Sequence, residues 1–234
     1  MLGSATANAT ATAADGAAAD LVVDIVSDVV CPWCYIGKRK LETALAELEA
    51  REPGLSIIRR WHPFQLNPDL PREGIARAAY LEAKFGGKAR AGEIYARVRA
   101  AGADVGIPFD FDRIDRQPNT LEAHRLIAWA QQRGDAQTTD ALVEHLFRAY
   151  FIDGRLLTDA EQLIAIARGA GFPEAEMRAM LASTAGLTAV EAEDREARAV
   201  GISGVPFFIF NGKTAVSGAH EPATLLEAIA AARA

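Results

Sequence analysis

Leu21-Val22-Val23-Asp24-Ile25-Val26-Ser27-Asp28-Val29-Val30-Cys31-Pro32-Trp33-Cys34-Tyr35-Ile36-Gly37 is the stretch on which the reading of this chain turns. Leu21 to Val26 is rich in β-branched residues and reads as a buried strand. Ser27-Asp28 ends it. Cys31 and Cys34, the only two cysteines among 234 residues, follow three apart. From Lys38 to Ala50 the apolar spacing changes to Leu41, Ala44, Leu45 and Leu48, a helix face. The thiols therefore stand where a strand hands over to a helix. Unpaired N–H groups and the positive end of the helix dipole favour an anion there.

That position assigns roles. Cys31, at or before the first turn, is the attacking thiol; in such motifs its pKa falls to roughly 3.5–7.5 from about 8.5. Cys34, one turn along, points inward and resolves the mixed disulfide by closing onto Cys31. Pro32 has no N–H to lose at a helix start. Trp33 is expected beside the thiols as a partly exposed apolar platform. A structural zinc site wants four ligands. There is no second CxxC, and His62, His124, His145 and His220 are scattered singly, so no metal is expected.

Working outward, Pro53-Gly54 stops the helix and Ser56 to Trp61 reads as a second strand. Strand, helix, strand with short links is a βαβ unit with parallel strands. From Pro68 to about Gly186 the pattern is almost all helical, with helices expected near 73–84, 88–103, 119–133, 138–150, 159–169, 173–182 and 187–199. Thr158-Asp159-Ala160-Glu161 fits a capping box, Pro173 suits a first helical position, and Asn119 can cap the helix carrying His124. Gly106 to Phe111 interrupts as a loop. Near the end, Val205 to Phe210 and Lys213 to Ser217 flank Asn211-Gly212, a strong hairpin signal. Phe207, Phe208 and Phe210 are expected in the core. Glu221 to Ala232 closes as a helix. The order is β-α-β, many helices, then β-β-α: an α/β protein with a mixed sheet and a large helical insertion. The expected division is a flexible tail over 1–19, a sheet domain over 20–68 plus 185–234, and a helical domain over 69–184.

Composition narrows the classes. Half the residues are hydrophobic, enough for a sizeable core without disulfide staples, and the net charge is −6 with both signs interspersed. No long basic stretch appears, which disfavours nucleic acid, and the apolar runs fall far short of the roughly 20 residues that span a bilayer. The first nineteen residues lack the basic start and apolar core of a secretory signal. The expected address is the cytoplasm, where a lone CxxC reads as catalytic rather than structural. His62 and His220 read as surface or loop residues. His124 reads either as a packing residue or as a lining of the active-site cleft.

Cys31-Pro32-Trp33-Cys34-Tyr35-Ile36-Gly37, Pro63-Phe64-Gln65-Leu66-Asn67-Pro68, Pro118-Asn119-Thr120 with Ala123-His124-Arg125, Leu146 to Phe151, and Gly201-Ile202-Ser203-Gly204-Val205-Pro206 with Ser217-Gly218-Ala219 together resemble the DsbA-like thioredoxin family, in its FrnE-type branch. The resemblance covers almost the whole chain after the tail. It implies a thioredoxin fold with an inserted helical domain, and a cis Val205–Pro206 peptide facing the cysteines. Such a turn leaves the Val205 backbone free to pair with an extended substrate or with glutathione. The candidate residues are then Cys31 and Cys34 for catalysis, and Pro32, Trp33, Val205, Pro206 and His124 for substrate contact. The expected activity is thiol–disulfide exchange on protein or small-molecule disulfides. No cofactor is expected to be tightly bound, glutathione is a candidate co-substrate, and a homodimer is left open. The alternative is a glutathione-dependent isomerase or transferase, like the 2-hydroxychromene-2-carboxylate isomerases and kappa-class transferases of the same superfamily, which need no resolving thiol. A non-enzymatic chaperone or binding role is the third reading.

Overall fold

The computed structural model describes residues 19–234. All but the last residue of the expected 1–19 tail lies outside the described residues. The apolar run forms β1 (Leu21–Ser27), followed by α1 (Pro32–Arg51) and β2 (Ile57–Pro63). β1 and β2 pair in parallel from Leu21↔Ile57 to Ser27↔Pro63. The chain then leaves the sheet through β3 (Ile75–Ala76), α2 (Arg77–Phe85), α3 (Lys88–Ala103), β4 (Arg116–Gln117), α4 (Leu121–Gln131), α5 (Ala136–Phe151), α6 (Ala160–Gly169), α7 (Glu174–Ala182) and α8 (Leu187–Ala199). It returns as β5 (Phe207–Phe210) and β6 (Thr214–Ser217), and α9 (Pro222–Arg233) ends it. The sheet order is β2-β1-β5-β6, with β5 antiparallel to both its neighbours. No helix among the described residues is long and apolar enough to cross a membrane.

One large core joins the sheet to most of the helices, with smaller clusters around Val26, Phe64 and Ile202 and around Tyr80, Leu81 and Ala91. Phe208 and Phe210 point inward from β5 and are fully buried, while Phe207 is half-buried. α9 packs on α1 and β6, and α4 and α8 pack on β2. Tyr35, next to Cys34, stacks on Phe147 of α5 at 4.9 Å and meets Phe109 edge-on at 6.0 Å. Each such aromatic pair adds about 0.5–1.5 kcal/mol beyond burial. One turn further, buried Lys38 is bonded to Glu42 and lies 3.3 Å from both Asp140 and Glu144 of α5. The start of α1 is thus clamped to α5 by an aromatic stack and an ion cluster, and this holds the CxxC motif still.

Local reasoning needs correction in four places. The helix expected from 73 begins at Arg77, because Ile75-Ala76 first pairs with Arg116-Gln117. Gly74 makes that possible: its φ is +72° and a Cβ there would sit 2.3 Å from the Gln117 carbonyl oxygen. The capping box is displaced by one residue. Asp159 is the N-cap and its Oδ1 accepts from Gln162 N at 3.0 Å, since an aspartate caps at least as well as the threonine before it. Pro173 sits at the cap of α7 rather than inside its first turn. Asn119 stands one residue before the N-cap Thr120, and its Oδ1 still accepts from Leu121 N at 3.0 Å.

Candidate active site

Cys31 is the N-cap of α1, in an extended conformation (φ −93°, ψ 111°), and Pro32 takes the first helical position. Pro32 prefers an extended residue before it and fits a helix start, so the sequence sets the cysteine at the tip of the dipole. No acidic residue stands in the first turn of α1 to neutralise that end. The Cys34 amide donates to the Cys31 carbonyl at 3.0 Å, which closes the first turn and brings the side chains of the pair together. Both thiols are free. Cys31 is 5 % exposed and Cys34 2 % exposed, whereas Trp33 between them is 41 % exposed. Burial, then the nearby Cys31 sulfur, push the Cys34 thiol well above its ordinary range; bonds from the Asp28 backbone and the Ser27 side chain act in the opposite sense.

Val205 and Pro206 come to the thiols from the other end of the chain. Their peptide bond is cis, and the Cys31 thiol donates to the Val205 carbonyl at 3.6 Å. Gly37 fixes how closely α1 approaches this turn. A Cβ at that position would lie 2.9 Å from Pro206 Cγ and 3.1 Å from Phe208 Cζ. Five of the seven candidate residues, Cys31, Pro32, Trp33, Val205 and Pro206, together with the inward Cys34, therefore form one face.

His124 lies apart from that face. It is 4 % exposed, with its Nε2 3.4 Å from Asp28 Oδ1. Asp28 is itself fully buried, and its Oδ2 accepts from Leu66 N at 2.8 Å. Asp28 was legible in the sequence only as a strand end. The signal that marks it is an acid inside an apolar run, three residues before Cys31. His62, expected at the surface or in a loop, instead ends β2 between two carboxylates: Nε2 is 2.9 Å from Asp24 and Nδ1 2.5 Å from Glu193. Burial would lower its pKa, but the two carboxylates outweigh it and push it up to about 9. His220 conforms to its surface reading, with Nε2 3.0 Å from the Ser217 carbonyl. Behind the thiols, Asp194 Oδ1 accepts from Gln65 N at 2.7 Å, and Arg198 bonds Asp194 while stacking on Phe64 at 4.1 Å. This network holds the loop after β2 to α8. Among the described residues no group of three His, Cys, Asp or Glu side chains is placed to hold a metal ion.

No curated protein sequence matches the chain. In solved structures, a Streptomyces coelicolor protein described as a probable DsbA oxidoreductase is 33 % identical, with a TM-score of 0.79 over 91 % of this chain and 89 % of that one. The cytosolic disulfide reductase DsbM of Pseudomonas aeruginosa, solved with GSH, shares the fold at 18 % identity and a TM-score of 0.56, over 91 % of this chain and 95 % of that one. A 2-hydroxychromene-2-carboxylate isomerase shares it at 17 % identity and a TM-score of 0.61, over 90 % of this chain and 95 % of that one. The family model for the DSBA-like thioredoxin domain matches residues 22–230. With four strands in this order, helices inserted between β2 and β5, and a match from β1 to α9, the chain belongs to the DSBA-like thioredoxin family.

Proposed function

We propose that this protein is a thiol–disulfide oxidoreductase, of the FrnE-type branch, that works through a mixed disulfide on Cys31. The observation that carries the reading is the pair of free thiols at the start of α1, with Cys31 bonded to the Val205 carbonyl. In the reducing direction, the Cys31 thiolate attacks a substrate disulfide RS–SR′. The Cys31–SR bond forms, the S–S bond of the substrate breaks, and R′S⁻ leaves to take a proton. The Cys34 thiolate then attacks Cys31 Sγ, the Cys31–Cys34 bond forms, and RS⁻ leaves. The substrate gains two electrons and the pair loses two; the reverse sequence oxidises a dithiol.

The substrates in this reading are protein or small-molecule disulfides and thiols. The Val205 backbone and the Trp33 indole are the proposed contact surface. Glutathione is the proposed co-substrate that returns the pair to the dithiol form, and DsbM, solved with GSH, supports that choice. We place the work in the cytoplasm, where a thiol pair exchanges with the glutathione pool.

The test is trapping. Oxidised glutathione should leave Cys34→Ser carrying one glutathione on Cys31, visible as a mass adduct, and leave Cys31→Ser unmodified. Insulin reduction that persists unchanged in Cys31→Ser would overturn the proposal. A second reading, a glutathione-dependent isomerase, is favoured by the shared fold with the 2-hydroxychromene-2-carboxylate isomerase. It predicts isomerase turnover that survives Cys34→Ser.

A further inference from the structure

Arg77, at the start of α2, is 9 % exposed. A buried arginine is ordinarily paired with a carboxylate. This one is not. Its Nη1 donates to Gln117 Oε1 and its Nη2 to the Tyr95 hydroxyl at 2.6 Å, and none of the ion pairs among the described residues includes it. Gln117 Oε1 is moreover shared with the Tyr150 hydroxyl at 3.1 Å. The rings of Tyr80 and Tyr95 lie 5.2 and 5.3 Å from the guanidinium carbon. These neutral groups hold the guanidinium in place and offset part of its desolvation. They leave its charge without a counter-charge, and the guanidinium has more N–H groups than these two acceptors use.

Arg77 and Tyr95 line a cavity of about 520 Å³ between α2, α3 and the segment 111–115, a size typical of small-molecule sites. Its apolar wall is Leu81, Phe111 and Ile114, all buried, with Tyr95 stacked on Phe111 at 4.3 Å. The Tyr95 hydroxyl accepts from Arg77, so its own proton is free to donate. Burial, outweighing the nearby guanidinium, raises the pKa of this phenol and keeps it protonated. A guanidinium beside a phenol O–H offers the donors that a carboxylate accepts. The rim decides the total charge. It carries Lys88 and Arg99 but also Glu82, Asp112 and Asp115, and Arg99 is tied to Asp112 at 3.0 Å. A polyphosphate would meet those acids, and a cation would meet Arg77. A single negative charge on an apolar body suits both the depth and the rim.

We propose that this cavity binds an organic monocarboxylate, its carboxylate on Arg77 and Tyr95 and its aliphatic or aromatic body against Leu81, Phe111 and Ile114. The bound anion supplies the counter-charge that a buried guanidinium needs and the chain does not provide. None of the residues at the thiol face lines this cavity, so the inference stands apart from the thiol-exchange reading.

The experiment is calorimetric titration of the full-length protein with 2-naphthoate and octanoate, against 2-naphthamide and inorganic phosphate. At least one carboxylate should bind one-to-one. The amide keeps the body and loses the charge, and should bind about tenfold or more weakly, the range that a charge-assisted hydrogen bond gives. Arg77→Gln should weaken the carboxylate by a similar factor and leave the amide unchanged, which a merely collapsed cavity would not do. Gly92→Trp fills the cavity from α3, where an added Cβ meets nothing within 4 Å, and should abolish binding of both. If Arg77→Gln does not fold, Gly92→Trp decides. Absence of binding by both carboxylates at about 1 mM overturns the proposal. So does equal affinity for 2-naphthoate and its amide, phosphate binding as tight as the carboxylates, or wild-type affinity in either variant.

Discussion

Replacing Gly37 by alanine tests whether the approach of α1 to the Pro206 turn is as tight as the geometry requires. The added methyl would meet Pro206 Cγ at 2.9 Å, Phe208 Cζ at 3.1 Å and Pro206 Cβ at 3.4 Å. Neither ring has room to give. Phe208 is fully buried in β5, and Val205, before the proline, is engaged by Cys31. Overpacking of this kind costs about 1–3 kcal/mol. Against it stands the better helix propensity of alanine, worth about 1 kcal/mol. The clash should win, leaving a net loss of up to about 2 kcal/mol. For a chain of this size that is a fall in Tm of up to about 8 °C. Gly92 supplies the control. It also lies in a helix, α3, but a Cβ there meets nothing within 4 Å. Gly92→Ala should therefore raise Tm by about 2–4 °C through propensity alone. Thermal unfolding of both variants, followed by circular dichroism, reads the sign directly. Disulfide exchange by Gly37→Ala should slow as well, because the methyl pushes Pro206 and with it the Val205 carbonyl away from Cys31. If Gly37→Ala is stabilised as Gly92→Ala is, the packing argument is refuted.

Three further outcomes follow from the charges and the core. His62 titrates near 9 in the folded protein against 6.5 ordinarily. Its stabilising contribution is complete below pH 6.5 and is lost as pH rises through 9, amounting to about 3 kcal/mol at most after solvent screening. Urea unfolding should show His62→Gln weaker than wild type at pH 6 and closing the gap by pH 10; a constant gap would count against the pairing with Asp24 and Glu193. Lys38→Met leaves Glu42, Asp140 and Glu144 facing one another with their central cation gone. Arg39 still pairs with Glu42 and Glu144 and Arg59 with Asp140, so the loss is that of charge-assisted hydrogen bonds, about 1.5–3 kcal/mol, read as a lower urea midpoint with unchanged slope. Phe147→Ala removes the ring stacked on Tyr35 from a fully buried site. It should cost about 3–5 kcal/mol and loosen the start of α1, with calorimetry giving the first effect and faster alkylation of Cys34 the second.

Much of this was legible in the residues because it is local. The β-branched run from Leu21 announces β1, and the periodicity over 187–199 gives α8 to the residue. Asn211 and Gly212 both adopt positive φ, as the hairpin requires. In the sequence the aromatic Gly106–Phe111 loop is only an interruption between helices, whereas in the fold Phe109 and Phe111 make it part of the core. β3 and β4 were invisible because two-residue strands have no period, and only their mutual pairing across forty residues makes them strands. The environments of Asp28, His62 and Lys38 were equally hidden. A charged residue looks the same in sequence whether solvent or a buried partner receives it.

By itself the sequence determined the chemistry and its local setting. Two thiols one turn apart, a proline that starts a helix and a strand before them depend only on neighbours a few residues away. The tertiary structure decided what surrounds those thiols. It set Val205 against Cys31 across 174 positions, turned His124 from the face of the site toward Asp28 behind it, and sealed Cys34 from solvent. Such contacts arise when the returning strand β5 and helix α4 pack against β1 and β2, bringing together residues that no local pattern relates.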